Sequence, residues 1–143
     1  NTTVAVNVAF ALTTGADYTF ITNRTVPTAQ RSELSPARPF EALFNIKLGN
    51  YGKTYEVIVN GTSIASYQTP NGSDAAQSPQ ISTDYIAVQL AAGMTAAGYN
   101  SGNWAMSQFG ASIYLKNTAT DFTVATKDGF NSFALVAIKD NLQ

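Results

Sequence analysis

Nine carboxylates are the only side chains in this sequence present in numbers that could carry acid–base chemistry: Asp17, Glu33, Glu41, Glu56, Asp74, Asp84, Asp121, Asp128 and Asp140. Two of them held about 5 to 10 Å apart across a cleft could hydrolyse a glycosidic bond. No histidine is present, which removes the commonest general base, the imidazole metal ligand, Ser-His-Asp triads and ordinary zinc sites. Cysteine is absent as well, so there is no thiol nucleophile, thiolate metal site or disulfide framework. The carboxylates stand where Asp serves the backbone. Asp17, Asp74, Asp121 and Asp128 fall at turns or strand starts, where Asp accepts from main-chain N–H groups. Asp84 falls in the first turn of an expected helix, where the dipole favours a negative charge. No catalytic residue, metal site or cofactor is expected.

Two loops imitate ligand sites. Gly49-Asn50-Tyr51-Gly52-Lys53 lacks the GxxxxGK[ST] spacing of a phosphate loop and reads as a strand-to-strand turn. Asn71-Gly72-Ser73-Asp74 lacks the alternating oxygen ligands of a calcium loop. Among the aromatic residues, Tyr18, Phe20, Tyr55, Phe122 and Phe133 fall on core-like strand faces, whereas Tyr51, Tyr99 and Trp104 flank turns and are candidates for exposed contacts.

The elements that must position these residues belong to a chain of 143, about one domain long. Only 12% of it is charged, against roughly 25% in ordinary soluble domains, while Thr, Ser and Asn supply 40 residues. Such a neutral surface is weakly protected against association and suits a piece of an assembly. The net charge is −1 and the eight basic residues form no run, so neither sequence-specific nucleic-acid binding nor an anionic membrane partner is expected. No stretch approaches the roughly 20 apolar residues of a spanning helix, so no membrane insertion is expected. The N-terminal NTTVAVNVAF alternates without a basic leader, unlike a signal peptide, and lacks a starting Met; the expectation is a cut point inside a longer protein.

Strict alternation of Val4, Val6, Val8, Phe10 and Leu12 marks a first strand, a Thr13-Thr14-Gly15 break follows, and residues 17 to 22 form a second strand. Residues 26 to 39 hold three of the five prolines and read as a loop or arm. Phe44, Ile46 and Leu48 mark a third strand. Asn60-Gly61 supplies the two positive-φ positions of a type I′ hairpin that sets Val59 opposite Thr62 and Val57 opposite Ile64. Ser82 caps a helix over about 82–97, in which Ile86, Leu90 and Met94 recur every four residues and Gly98 stands at the C′ position. Strands over Trp104 to Phe109, Ser112 to Lys116 and Asp121 to Thr126 follow. Asp128-Gly129 turns the chain into a last strand with Phe133, Leu135 and Ala137 on one face. Many strands around one main helix give an α+β class with a mostly antiparallel, sandwich-like sheet.

Three stretches carry a family resemblance. Asp17-Tyr18-Thr19-Phe20-Ile21-Thr22-Asn23-Arg24 resembles the ADYTFIxNR motif of tail tubular protein B, the tail nozzle protein family of short-tailed bacteriophages. GNYGKTYEVIVNG, 49 to 61, is similar to that family's Gly-x-Tyr-Gly-Arg-x strand and Asn-Gly hairpin, followed by Ala65-x-Tyr67 and Pro70-Asn71-Gly72-Ser73. Thr126-Lys127-Asp128-Gly129-Phe130 resembles its Thr-Lys-Asp-Gly-aromatic turn. The three are collinear over roughly residues 16 to 130, while the arm at 26 to 40 matches poorly and residues 1 to 12 are generic. The motif positions are Asp17, Tyr18, Phe20, Asn23, Arg24, Tyr51, Gly52, Asn60, Gly61, Asp128 and Gly129.

The resemblance implies a structural virion protein of the tail, without enzymatic activity, assembled as a sixfold ring beneath the portal and adaptor and continuing the DNA-ejection channel. Its implied partners are other copies of the nozzle protein, the tail adaptor protein and tail fibres. At this length, residues 1–143 would be a single domain of such a subunit, as a fragment or an insertion. Arg24 is expected to pair with a carboxylate or carbonyl at a corner or subunit boundary. The alternative is a glycan-binding or glycan-degrading tail module acting on the host envelope through Tyr51, Tyr99 or Trp104, or through paired carboxylates.

Overall fold

The computed structural model describes residues 10–25 and 38–139. Val4, Val6 and Val8 of the expected first strand, and residues 26–37 of the expected arm, lie outside the described residues. The chain divides into two compact units, Asn1–Pro36 and Ala37–Gln143.

In the first unit, β1 (Phe10–Gly15) pairs antiparallel with β2 (Tyr18–Asn23). Thr13-Thr14-Gly15 continues β1 instead of breaking it. The turn is the two-residue Ala16-Asp17, with Ala16 at φ 51°. Threonine is a strand former on a pleated surface, and here Thr14 Oγ1 meets Thr19 Oγ1 across the ladder at 3.0 Å.

The second unit holds seven strands, one α-helix and a 3-10 helix among the described residues. β3 (Phe40–Ile46), β6 (Trp104–Phe109), β7 (Ser112–Asn117) and β9 (Leu135–Lys139) form a sheet of order β6-β7-β3-β9. β4 (Thr54–Val59), β5 (Thr62–Gln68) and β8 (Val124–Lys127) form a second, of order β5-β4-β8. Every pairing is antiparallel, which gives the expected α+β class. α1 (Thr83–Ala96) follows a 3-10 helix at Ala75–Ile81. Ser82 Oγ accepts from the Tyr85 N–H at 3.2 Å as its N-cap, and Gly98 takes φ 89° beyond its end.

Alternation places the core. Ala42, Phe44 and Ile46 of β3, Tyr55, Val57 and Val59 of β4, and Ile113 and Leu115 of β7 turn inward to meet Ile86, Leu90 and Met94 of α1. Burying such side chains contributes on the order of 1.5–3 kcal/mol each.

Four expectations shift. β3 starts and ends earlier than its apolar spacing suggests, so Leu48 lies past the strand and is exposed. β8 is shorter than expected, and Phe122 is buried ahead of it. Phe133 precedes β9 and is exposed, with the Lys47 Nζ 4.8 Å from its ring centroid. A β-bulge between β4 and β5 sets Val57 opposite Ala65, not Ile64. One extra residue on β5 flips every later side chain to the other face. Small Ala65 is thereby the buried residue, and α1 lies directly on it.

Candidate functional site

Of the carboxylates, Asp128 is fully buried. The chain wraps it, with Gly129, Asn131 and Ser132 all at positive φ (69°, 57° and 60°). Oδ1 accepts from Phe130 N at 2.7 Å and Ser132 N at 2.9 Å; Oδ2 accepts from Ala134 N at 2.6 Å and Leu135 N at 2.8 Å. Burial pushes this carboxyl up, but the four amides outweigh it and hold the group below its ordinary value. Both oxygens are thus saturated by backbone donors, leaving the group an ionised peg that sets the entry to β9 and has no lone pair free for acid–base work.

Three other described acids also have partners. Asp74 caps the 3-10 helix through Ala76 N at 2.9 Å. Asp121 Oδ1 accepts from Lys139 Nζ at 2.6 Å. Glu41 is 3.9 Å from Arg38 and lies beside Tyr114, whose hydroxyl is pushed up by burial first and by that carboxylate second. Among the described residues, the surface depressions at Arg38–Glu41 and Lys127–Ser132 are each lined by one carboxylate.

The motif turns are braces. Asn60 and Gly61 take φ 51° and 77°. Asn60 also reaches across sheet space: its N–H donates to the Thr123 carbonyl at 3.0 Å and its Oδ1 accepts from Thr123 N at 2.9 Å. Gly52, at φ 63°, donates to the Pro70 carbonyl at 2.8 Å. Buried Thr69 locks the same loop, accepting from Lys53 N at 2.9 Å and donating to the Asn50 carbonyl at 2.7 Å. Thr69 and Lys139 are anchors that sequence reasoning missed, since neither stands in a recognisable motif.

Tyr51, Tyr99 and Trp104 are not the exposed contacts expected of them. Each is half-buried. The Tyr51 ring lies so close beneath Gly72 that a Cβ there would come within 3.0 Å of it. Tyr99, Trp104 and Phe122 form a continuous stack with centroids 4.7 and 4.8 Å apart. Lys139 Nζ sits 5.0 Å from the Phe122 ring and 5.9 Å from that of Phe40. Turn-flanking positions recruited these rings because large aromatics pair edge-on wherever the fold allows.

The opposite correction applies to β2. Tyr18 and Phe20 are 72% and 65% exposed, and on the other face of the hairpin Leu12 and Ile21 are 65% and 67% exposed. Alternation alone suggests a buried face. Asn23 Oδ1 accepts from Thr25 N at 2.9 Å and Thr25 Oγ1 at 2.8 Å, closing the strand exit. Among the described residues no carboxylate or carbonyl partners Arg24. Asp17, also a motif residue, occupies the hairpin turn and is likewise unpaired among them. No helix among the described residues is long and apolar enough to cross a membrane.

The bacteriophage nozzle protein family matches residues 2–143. Tail tubular protein gp12 of Escherichia phage T7 is 31% identical over 128 residues, covering 83% of this chain. The chain spans 15% of the length of that curated relative.

Proposed function

The chain belongs to the bacteriophage nozzle protein family, and on that premise we propose that it is a structural domain of a phage tail nozzle, resident in the virion tail. Its work is mechanical: it contributes a rigid body and strand edges to the tube that continues the DNA-ejection channel. The observation that carries this reading is the family match across nearly the whole chain. The side-chain chemistry supports it, because the buried carboxylate and the turn residues are spent on bracing the backbone. The domain forms part of a longer nozzle subunit whose other copies, arranged in a ring with the tail adaptor and tail fibres nearby, are its partners. It performs this role without catalysis.

The test is a density map of the assembled tail. The second unit, with its two sheets and single α-helix, is expected to dock into the nozzle ring once per subunit. A map in which it fits no nozzle density overturns the assignment.

A further inference from the structure

The second unit is complete in itself. Its core is drawn from both sheets and α1, between Phe40 and Ala137, and its buried polar residues Thr69, Asn117 and Asp128 all bond to backbone of the same unit. Its chain also leaves where it enters. β3, the first strand, pairs antiparallel with β9, the last, and Ala42 stands opposite Lys139, so entry and exit lie one strand spacing, about 5 Å, apart. Lys139 closes this neck: its Nζ bonds Asp121 Oδ1 at 2.6 Å and lies 5.9 Å from the centroid of the Phe40 ring. A body with adjacent ends can be set into a loop of another domain without disturbing it. The first unit is the reverse. Asn1–Pro36 falls below the roughly 40 residues that usually fold without disulfides, metals or a partner, and the sequence has no cysteine. Its hairpin exposes apolar side chains on both faces, Leu12 and Ile21 on one and Tyr18 and Phe20 on the other, and a two-stranded ribbon is at best marginally stable in water.

We propose that the second unit is an insertion within a host domain, and that the apolar faces of the hairpin are covered by the stretch of the same subunit that follows the insertion, beyond Lys139. The return of β9 to the side of β3 hands the chain back at its point of departure, so the pieces before and after the insertion can pack as one body. The length for this is at hand, since the chain spans 15% of its T7 relative. The inference rests on the nozzle reading for that longer subunit and goes beyond it in giving the hairpin a partner within its own subunit.

Photocrosslinking in the full-length subunit tests this, with Phe20 replaced by the photoreactive p-benzoylphenylalanine. The expected product keeps the mass of one subunit on a denaturing gel, and its peptide map joins that position to a peptide on the C-terminal side of Lys139. The same join should persist when residues 42–139 are replaced by a short Gly-Ser linker, because the excision removes a self-contained body whose ends are adjacent. A product of two-subunit mass, a join to a peptide within residues 38–139 or to one preceding Asn1, no product at all, or a join that is lost on excision overturns the inference. None of these outcomes decides whether the second unit docks into the nozzle ring of the assembled tail, so the nozzle assignment stands or falls separately.

Discussion

Gly93 of α1 crosses β5 so closely that a methyl group on it would lie 3.0 Å from Cβ of Ala65. The contact exists because the bulge turned Ala65, and not Ile64, beneath the helix. In an exposed helix Gly→Ala would stabilise by about 1 kcal/mol; here we expect Gly93→Ala to lower stability by about 1–2 kcal/mol through overpacking. Urea unfolding of Gly93→Ala, Ala65→Gly and the double variant should show coupling, with the double variant less destabilised than the sum of the singles.

Asp128→Asn should cost about 2–4 kcal/mol, because it trades a saturated carboxylate for an amide that turns a donor toward buried N–H groups. The folded carboxyl titrates below its ordinary value. Its contribution is therefore complete above the unfolded value of about 3.9 and is lost as pH falls through the lower folded value. Denaturant midpoints of wild type and variant should differ most near neutrality and converge in acid. A gap that is constant with pH would refute the ionised-peg assignment.

A Cβ on Gly49 would fall on the Ile81 carbonyl and press on the Ile86 side chain at 3.1 Å. Gly49→Ala should destabilise by about 3 kcal/mol or more, since backbone cannot yield as a side chain can. Gly15→Ala is the matched control, with nothing within 4 Å of its new methyl group. Thermal melts should separate the two clearly.

Trp104→Ala breaks the stack between Tyr99 and Phe122. A loss of about 3 kcal/mol is expected, together with easier proteolysis of the segment around Phe122. If stability were unchanged and only glycan binding suffered, the residue would be a contact after all, and the packing role assigned to it would fail.

Much of the fold was legible because local and global signals agree. The four-residue recurrence of Ile86, Leu90 and Met94, bracketed by Ser82 and Gly98, allows one helix and one burial face. Asn60-Gly61 offers little besides a type I′ turn. Asp128 was legible only in part. Its place before Gly129 marks a turn, yet that its carboxylate would gather amides as far on as Ala134 and Leu135 depends on the path of a loop with two non-glycine residues at positive φ.

By itself the sequence determined what is written in short-range patterning: the helix, the Asn-Gly hairpin, the inward faces of β3, β4 and β7, and the want of histidine and cysteine that removes most catalytic chemistry. The tertiary structure decided which surfaces meet. Period-two alternation says that Tyr18 and Phe20 share a face but is silent on what covers it, and a turn-flanking Trp104 is equally compatible with solvent or with a stack. Those outcomes depend on contacts between residues far apart in the chain, such as Ala65 with Gly93 or Asn60 with Thr123. A bulge of one residue is enough to exchange which side chain makes them.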